Sequence, residues 1–385
     1  MAMDMMWSNP CSAANEAKAK RVDMARGEFA SAVVGAKDIA PLQAPMMTTA
    51  LSTLCCPKDK GELTPSADNC RLFCRLCGRT YAYNGFCWVM DGDTPSDNGA
   101  SAERMRNDIN AVRDSQRNWG PIRRYCHEFG LMTIAEAHYK WVHPLSRNAV
   151  CLDVGCGDGL LLSLLAGEAD HGIGVDPLVE SLAKAKTKLP EDARVVLIKS
   201  SGTELPIRDD SIDVVVTSEV LEHIATPHKY LAEIYRVLKP NGVCTLSTPS
   251  GWMYYLPMPW NMRKLAKKLL YPHRYYWDVA PELNWPAALP SHPALRFSVL
   301  EQWCRHAGFD VLKHRGVLWS YHVPWRFSVE RLFEASCKVF PSHISVFKWL
   351  VRLVERGLEC DLPFFRMIST RQIILLKKTV PPGAR

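Results

Sequence analysis

Val150-Cys151-Leu152-Asp153-Val154-Gly155-Cys156-Gly157-Asp158-Gly159 decides the fold. An apolar run with one acid ends on three glycines at alternate positions, and Leu160 to Leu165 then opens a helical pattern. Strand, glycine turn and helix in direct succession are the start of a βαβ unit, and glycine lets backbone come close to a ligand where any side chain would collide. In open parallel sheets that place, beyond the carboxyl ends of the strands, is where ligands bind. The spacing is G-x-G-x-G, whereas the dinucleotide fingerprint would need glycine at position 160, which is leucine. That argues against a nicotinamide or flavin cofactor.

Working outward, apolar runs alternate with helical segments. Gly172 to Asp176 is followed by a helix through Lys188, then by Val195 to Ile198. Ile212 to Val216, a helix from about Lys229 to Leu238, and Val243 to Ser247 continue the pattern. Strand and helix in alternation predict a parallel sheet covered on both faces. Phe309 to Val317 and Arg371 to Lys377 read as two further strands. Asp176 ends the second strand about twenty residues after the glycines, where a carboxylate accepts from both hydroxyls of a ribose.

In this order LDVGCGDG, VDP, GTELPIRDDSIDVVVTSEVLEHI and RVLKPNG resemble the class I S-adenosylmethionine-dependent methyltransferases of the type 11 group, over roughly residues 150 to 250. The resemblance implies an α/β, Rossmann-like, doubly wound sheet of seven mostly parallel strands with an antiparallel last strand, and S-adenosylmethionine as cofactor. It implies that Asp153 and the glycines hold the methionine part and Asp176 the ribose. The implied cofactor set is Asp153, Gly155, Cys156, Gly157, Gly159, Asp176, Pro177, Ser201, Gly202, Thr203 and Ser218. The chain departs from the family at Ser201, where an acid commonly meets the adenine amino group; Thr203 or backbone near Gly202 is the expected substitute.

Methyl transfer is an in-line displacement, so the site has to align the reactants and remove a proton where the acceptor needs it. Thr217-Ser218-Glu219-Val220-Leu221-Glu222-His223 follows the fourth strand and brings Glu219, Glu222 and His223 near the expected methyl. This stretch most resembles the ubiquinone-biosynthesis O-methyltransferases. There the matching residues are associated with a divalent metal that lowers the pKa of a phenol hydroxyl. The alternative is structural: Glu219 contacts cofactor backbone, and Glu222 with His223 starts a helix.

Upstream, Cys56-Pro57-Lys58-Asp59 and Cys74-Arg75-Leu76-Cys77 resemble the two knuckles of a zinc ribbon, with Asp59 where the first knuckle would carry its second cysteine. Cys56, Asp59, Cys74 and Cys77 are therefore candidate zinc ligands, with Cys55 or Cys70 as substitutes and a metal-free, degenerate ribbon as the alternative. Similar ribbons precede the catalytic domain in bacterial ribosomal-RNA guanine methyltransferases, which makes RNA base methylation the rival function. A catalytically inactive cofactor-binding scaffold is the third.

The boundaries expected are a tail over 1–53, the ribbon over 54–92 and the catalytic domain over 101–385, with cap insertions at about 250–296 and 318–368. Seven of twelve tryptophans lie between Trp252 and Trp325. Residues 1–249 carry 27 basic and 31 acidic side chains, and residues 250–385 carry 20 and 9. The positive excess thus lies in the C-terminal third, where it attracts anionic partners. Lys348, Arg352 and Arg356 form one stripe of an otherwise apolar segment, which reads either as a helix buried against the core or as one in peripheral contact with a membrane surface. The acceptor expected is small and apolar or lipid-linked, with RNA as the alternative. No run reaches the roughly 18 apolar residues of a membrane span. The cysteines read as reduced thiols of a cytoplasmic protein, and acids among the first fifty residues weigh against a mitochondrial presequence.

Overall fold

The computed structural model describes residues 52–90, 121–167, 169–190, 193–250, 296–317, 336, 339–340, 345–346, 349, 369 and 371–379. Most of the expected tail, the segment after Met90 and the bulk of both insertions lie outside these residues.

Among them, eleven strands form one sheet in the order β1-β2-β3-β4-β7-β6-β5-β8-β9-β11-β10. The catalytic strands are β5 (Val150–Val154), β6 (His171–Asp176), β7 (Val195–Lys199), β8 (Ile212–Ser218), β9 (Leu238–Pro249), β10 (Phe309–Val317) and β11 (Arg371–Lys378). β7, β6, β5, β8 and β9 are mutually parallel, and β11 runs antiparallel to both β9 and β10. The α/β fold class and the antiparallel last strand are as the motifs implied. From β5 the chain moves to β6 and β7 on one side and returns to β8 and β9 on the other, so the crevice beyond the carboxyl end of β5 is the switch point where ligands bind.

The helices are α1 (Pro121–Ser146), α2 (Leu160–Leu165), α3 (Val179–Lys188), α4 (Pro227–Val237) and α5 (Phe297–His306). Each follows from its sequence. α3 has Glu180 in its first turn and Lys186 and Lys188 in its last, matching the helix dipole. α4 begins on Pro227, whose fixed φ suits the first helical position, and buries Tyr230, Leu231, Ile234 and Val237 along one stripe. Strands covered on both faces are largely apolar, as in Val150–Val154, where Asp153 is the one acid, and in Val195–Lys199, which ends on Lys199. Burial of each large core side chain, such as Leu152 or Ile198, contributes about 1.5–3 kcal/mol.

β1 (Leu63–Pro65), β2 (Arg71–Cys74), β3 (Thr80–Tyr83) and β4 (Trp88–Val89) make up the ribbon. They are not a separate body on a tether: β4 pairs in parallel with β7, setting Trp88 against Ile198 and Val89 against Lys199. Leu54, Leu72, Trp88 and Met90 share one apolar core with Ile198, Leu205, Ile207 and Ile234. The edge of the catalytic sheet is thereby covered rather than left exposed. Among the described residues no helix is long and apolar enough to cross a membrane.

Candidate functional site

The glycine loop forms a cradle at the switch point. Gly155 and Cys156 both donate their N–H to the Val175 carbonyl, at 2.7 and 3.1 Å, which ties the turn to the second strand. Gly155, Gly157 and Gly159 have φ of 77, 52 and 78°, the left-handed region that favours glycine. Their surroundings differ. A Cβ at Gly155 would lie 2.2 Å from Val220 Cγ2, whereas one at Gly157 would meet no protein atom within 4 Å. Gly155 therefore closes the loop against the protein, and Gly157 faces open space.

Two buried carboxylates stand behind this cradle. Asp153 is fully buried, its Oδ2 has no hydrogen-bond partner, and burial together with the nearby Asp176 charge pushes its pKa to about 8. An orphaned buried carboxylate is costly and calls for a donor, which an ammonium group would supply. Asp176 accepts N–H bonds from Gly157 at 3.0 Å and Leu178 at 2.8 Å, and burial still raises it to about 6. Each oxygen retains a lone pair for a ribose hydroxyl. Pro177 follows directly in the turn to α3.

Beside Asp176, the segment after β7 carries Ser201, Gly202 and Thr203. Ser201 Oγ accepts from the Thr203 N–H at 3.2 Å and shares a 2.9 Å bond with its hydroxyl. Gly202 is required by close approach, since a Cβ there would lie 2.4 Å from the Tyr230 ring. Tyr230 is itself held by Thr217 at 2.6 Å.

At the carboxyl ends of β8 and β9 the polar residues form a network. Glu219 has φ 58°, a strained conformation for a residue with a side chain, and is fixed by its N–H to the Ser247 carbonyl at 3.1 Å. Its carboxylate accepts from Ser247 Oγ at 3.1 Å and forms an ion pair with Arg371 at the start of β11. Ser218 and Ser247 share a 3.2 Å hydroxyl bond. Glu222 is buried in a short 3-10 helix, Leu221–His223, and accepts from Thr248 Oγ1 at 3.1 Å. Burial raises both Glu219 and Glu222 to about 7. His223 closes the helix with its N–H on the Val220 carbonyl.

The family described as methyltransferase domain matches residues 152–246. A demethylmenaquinone methyltransferase of Clavibacter sepedonicus is 30% identical over 184 residues, covering 46% of this chain and 71% of that protein. The chain belongs to the class I S-adenosylmethionine-dependent methyltransferases of the type 11 group. A relative from Mycolicibacterium smegmatis, described as an S-adenosylmethionine-dependent methyltransferase, is 37% identical over 99 residues, covering 26% of this chain and 37% of that protein. A Mycobacterium tuberculosis counterpart is 35% identical over 112 residues, covering 29% and 40%. The chain thus spans less than half the length of these mycobacterial relatives. The crystal structure of an S-adenosylmethionine-dependent methyltransferase from Mesorhizobium loti aligns with TM-score 0.40 and 14% identity, covering 63% of this chain and 98% of that one.

In this methyltransferase the open face of Gly157 and the unpartnered Oδ2 of Asp153 fit the cofactor. Among the described residues the one His/Cys/Asp/Glu group with donor atoms within 4.8 Å of one another is Cys56, Asp59, Cys74 and Cys77. Each glutamate carboxylate is already engaged, Glu219 by Arg371 and Glu222 by Thr248.

The cysteine cluster is built from two matching turns. Lys60 N–H bonds the Cys56 carbonyl at 2.9 Å and Cys56 N–H the Gly61 carbonyl at 2.9 Å. Gly78 N–H bonds the Cys74 carbonyl at 3.1 Å and Cys74 N–H the Arg79 carbonyl at 2.8 Å. Lys60 and Gly78 take the same left-handed φ, 59 and 73°. Asp59 therefore stands in the first turn where Cys77 stands in the second. Its carboxylate is held well below the usual range, first by the Gly61 N–H. Three soft sulfurs and one carboxylate oxygen suit a tetrahedral zinc ion.

Arg371, Ser247, Thr248 and Lys60 were absent from the sequence-derived set. Ser247 and Thr248 carry a signal, polar residues ending an apolar strand. Arg371 carries none, because only the β9–β11 register brings it to Glu219.

Proposed function

We propose that this methyltransferase methylates a hydroxyl of a small, apolar or lipid-linked acceptor. The observation that carries the reading is the pair of buried carboxylates, Glu219 and Glu222, beside the glycine cradle. Each titrates near neutrality, so each is a proton acceptor matched to a weakly acidic hydroxyl. S-adenosylmethionine supplies the electrophilic methyl group. Gly155, Cys156, Gly157 and Gly159 cradle it, Asp153 and Asp176 hold its amino and ribose ends, and Pro177, Ser201, Gly202, Thr203 and Ser218 line it. Glu222 takes the acceptor's proton. Arg371 holds Glu219 in place and offsets its charge, and His223 borders the same space.

A small acceptor is supported by the relative named for demethylmenaquinone. A lipid-facing one is supported by the second insertion, where Val339, Phe340, Val346 and Trp349 are all exposed. Exposed apolar side chains in a stretch whose sequence also carries Lys348, Arg352 and Arg356 suit an anionic membrane surface. Zinc in the Cys56, Asp59, Cys74 and Cys77 cluster would hold the ribbon's two turns together.

Incubation with methyl-labelled S-adenosylmethionine, against a lipid extract and total RNA in parallel, tests the reading. Label in an alkali-stable ether of the organic fraction is expected. Label in RNA alone would overturn it.

A further inference from the structure

The ribbon's hydrogen bonds converge on a single stretch of the catalytic domain. At its start, Met90 N–H bonds the Lys199 carbonyl at 2.9 Å, and Ser200 Oγ donates back to the Met90 carbonyl at 3.1 Å. At its end, Cys55 N–H bonds the Pro206 carbonyl at 3.1 Å, Arg208 N–H bonds the Thr53 carbonyl at 2.8 Å, and Arg208 Nε donates to the Leu54 carbonyl at 3.1 Å. Leu54 and Ile207 form an antiparallel bridge. Between these anchors lie Ser201, Gly202, Thr203 and Glu204, the loop beside Asp176.

Lys60 adds a link from the cysteine cluster itself. It follows Asp59 in the chain, its backbone closes the first turn of the ribbon, and its ammonium donates to the Leu205 carbonyl at 3.0 Å and to Glu233 Oε2 at 2.9 Å. The same Glu233 oxygen accepts the Leu205 N–H at 2.7 Å. The Leu205 N–H is thus fixed by the ion-pair partner of Lys60, and its carbonyl accepts from both Lys60 and Arg236 Nη2, the latter at 3.1 Å.

Resting on the cofactor reading above, we propose that the ribbon positions the base-binding loop, with Lys60 as the positioning residue that ties the state of the Cys56, Asp59, Cys74 and Cys77 cluster to cofactor affinity. Within the loop Ser201 and Thr203 bond each other and the Glu204 N–H bonds the Ser201 carbonyl at 3.3 Å, so these contacts stay inside the loop, and the ribbon anchors both its ends. An ordered ribbon supplies the preorganisation, so the ligand does not have to order the loop on binding. A ribbon that served only to capture nucleic acid would have no reason to concentrate its bonds here.

The test is calorimetric titration of the full chain with S-adenosylhomocysteine, zinc-loaded and after chelation, for wild type, Lys60→Met and Lys60→Arg. Glu233 keeps Arg236 and Leu205 N–H in the Met variant, so the fold survives there, as its thermal transition would confirm. Zinc-loaded wild type is expected to bind about tenfold more tightly than either chelated wild type or loaded Lys60→Met. Chelation should change the affinity of Lys60→Met little further, and Lys60→Arg should recover most of the loss. Equal affinity for loaded wild type and loaded Lys60→Met would overturn the proposal, as would a full additional zinc effect in that variant. Absence of binding to loaded wild type would instead bring down the cofactor reading, and this proposal with it.

Discussion

Gly157→Ala separates the ligand's needs from the protein's. At φ 52° a side chain costs about 1–2 kcal/mol of left-handed strain. No overpacking adds to this, because the new Cβ meets no protein atom within 4 Å. Against a typical stability of about 5–15 kcal/mol the variant stays folded. The same methyl group enters the open space that Gly157 faces, where the proposed cofactor would lie, so affinity for S-adenosylhomocysteine should fall at least about a hundredfold, or about 2.7 kcal/mol. Gly155→Ala should behave in the opposite way. Its Cβ lies 2.2 Å from Val220 Cγ2, so about 1–3 kcal/mol of overpacking joins the strain and stability suffers first. Urea unfolding and calorimetry on both variants read the two quantities separately. Gly157→Ala that binds within about threefold of wild type would refute the cradle assignment.

Glu222→Gln should lower turnover by about a hundredfold or more while leaving S-adenosylhomocysteine affinity near normal. Wild-type turnover should rise with pH to a plateau above about 7, as Glu222 loses its proton, and a variant that keeps this profile would remove Glu222 from the role of base. Asp153 has its folded pKa raised from 3.8 to about 8, so between those values the native state holds a proton the unfolded chain has lost. Stability of the ligand-free protein should therefore fall as pH rises from about 4 to about 8, read as a dropping urea midpoint, and Asp153→Asn should flatten the slope. Arg371→Met leaves Glu219 buried without its partner and should cost about 3 kcal/mol, with part recovered in the double variant carrying Glu219→Gln. Additive losses in that cycle would mean the pair does not interact.

The catalytic strands and the cofactor loop were legible because their signals are local. Val150–Val154 is apolar but for Asp153 because both faces of β5 are covered, and three glycines follow because the turn takes three left-handed residues. The paired ribbon turns were legible for the same reason, including Asp59 in the place of a cysteine. Two things were not. The ribbon's union with the catalytic sheet depends on two residues of β4 pairing with β7 more than a hundred positions away, and no periodicity marks so short a strand. The Glu219–Arg371 pair depends on the register of β11 against β9, which places Arg371 opposite Pro249. Local spacing showed Glu219, Glu222 and His223 as neighbours and suggested a shared ion. The partners of the two glutamates come from β9 and β11: Ser247 and Arg371 for Glu219, and Thr248 for Glu222.

The most direct measurement of the central claim is calorimetric titration of the wild-type chain with S-adenosylmethionine and S-adenosylhomocysteine, in two buffers of different ionisation enthalpy. Binding near micromolar, about 8 kcal/mol, is predicted. Proton release is predicted with it, because the ligand's ammonium group beside Asp153 drives off the proton that burial retains there. Absence of binding at tens of micromolar, or binding without proton release below pH 8, would contradict the account of this site.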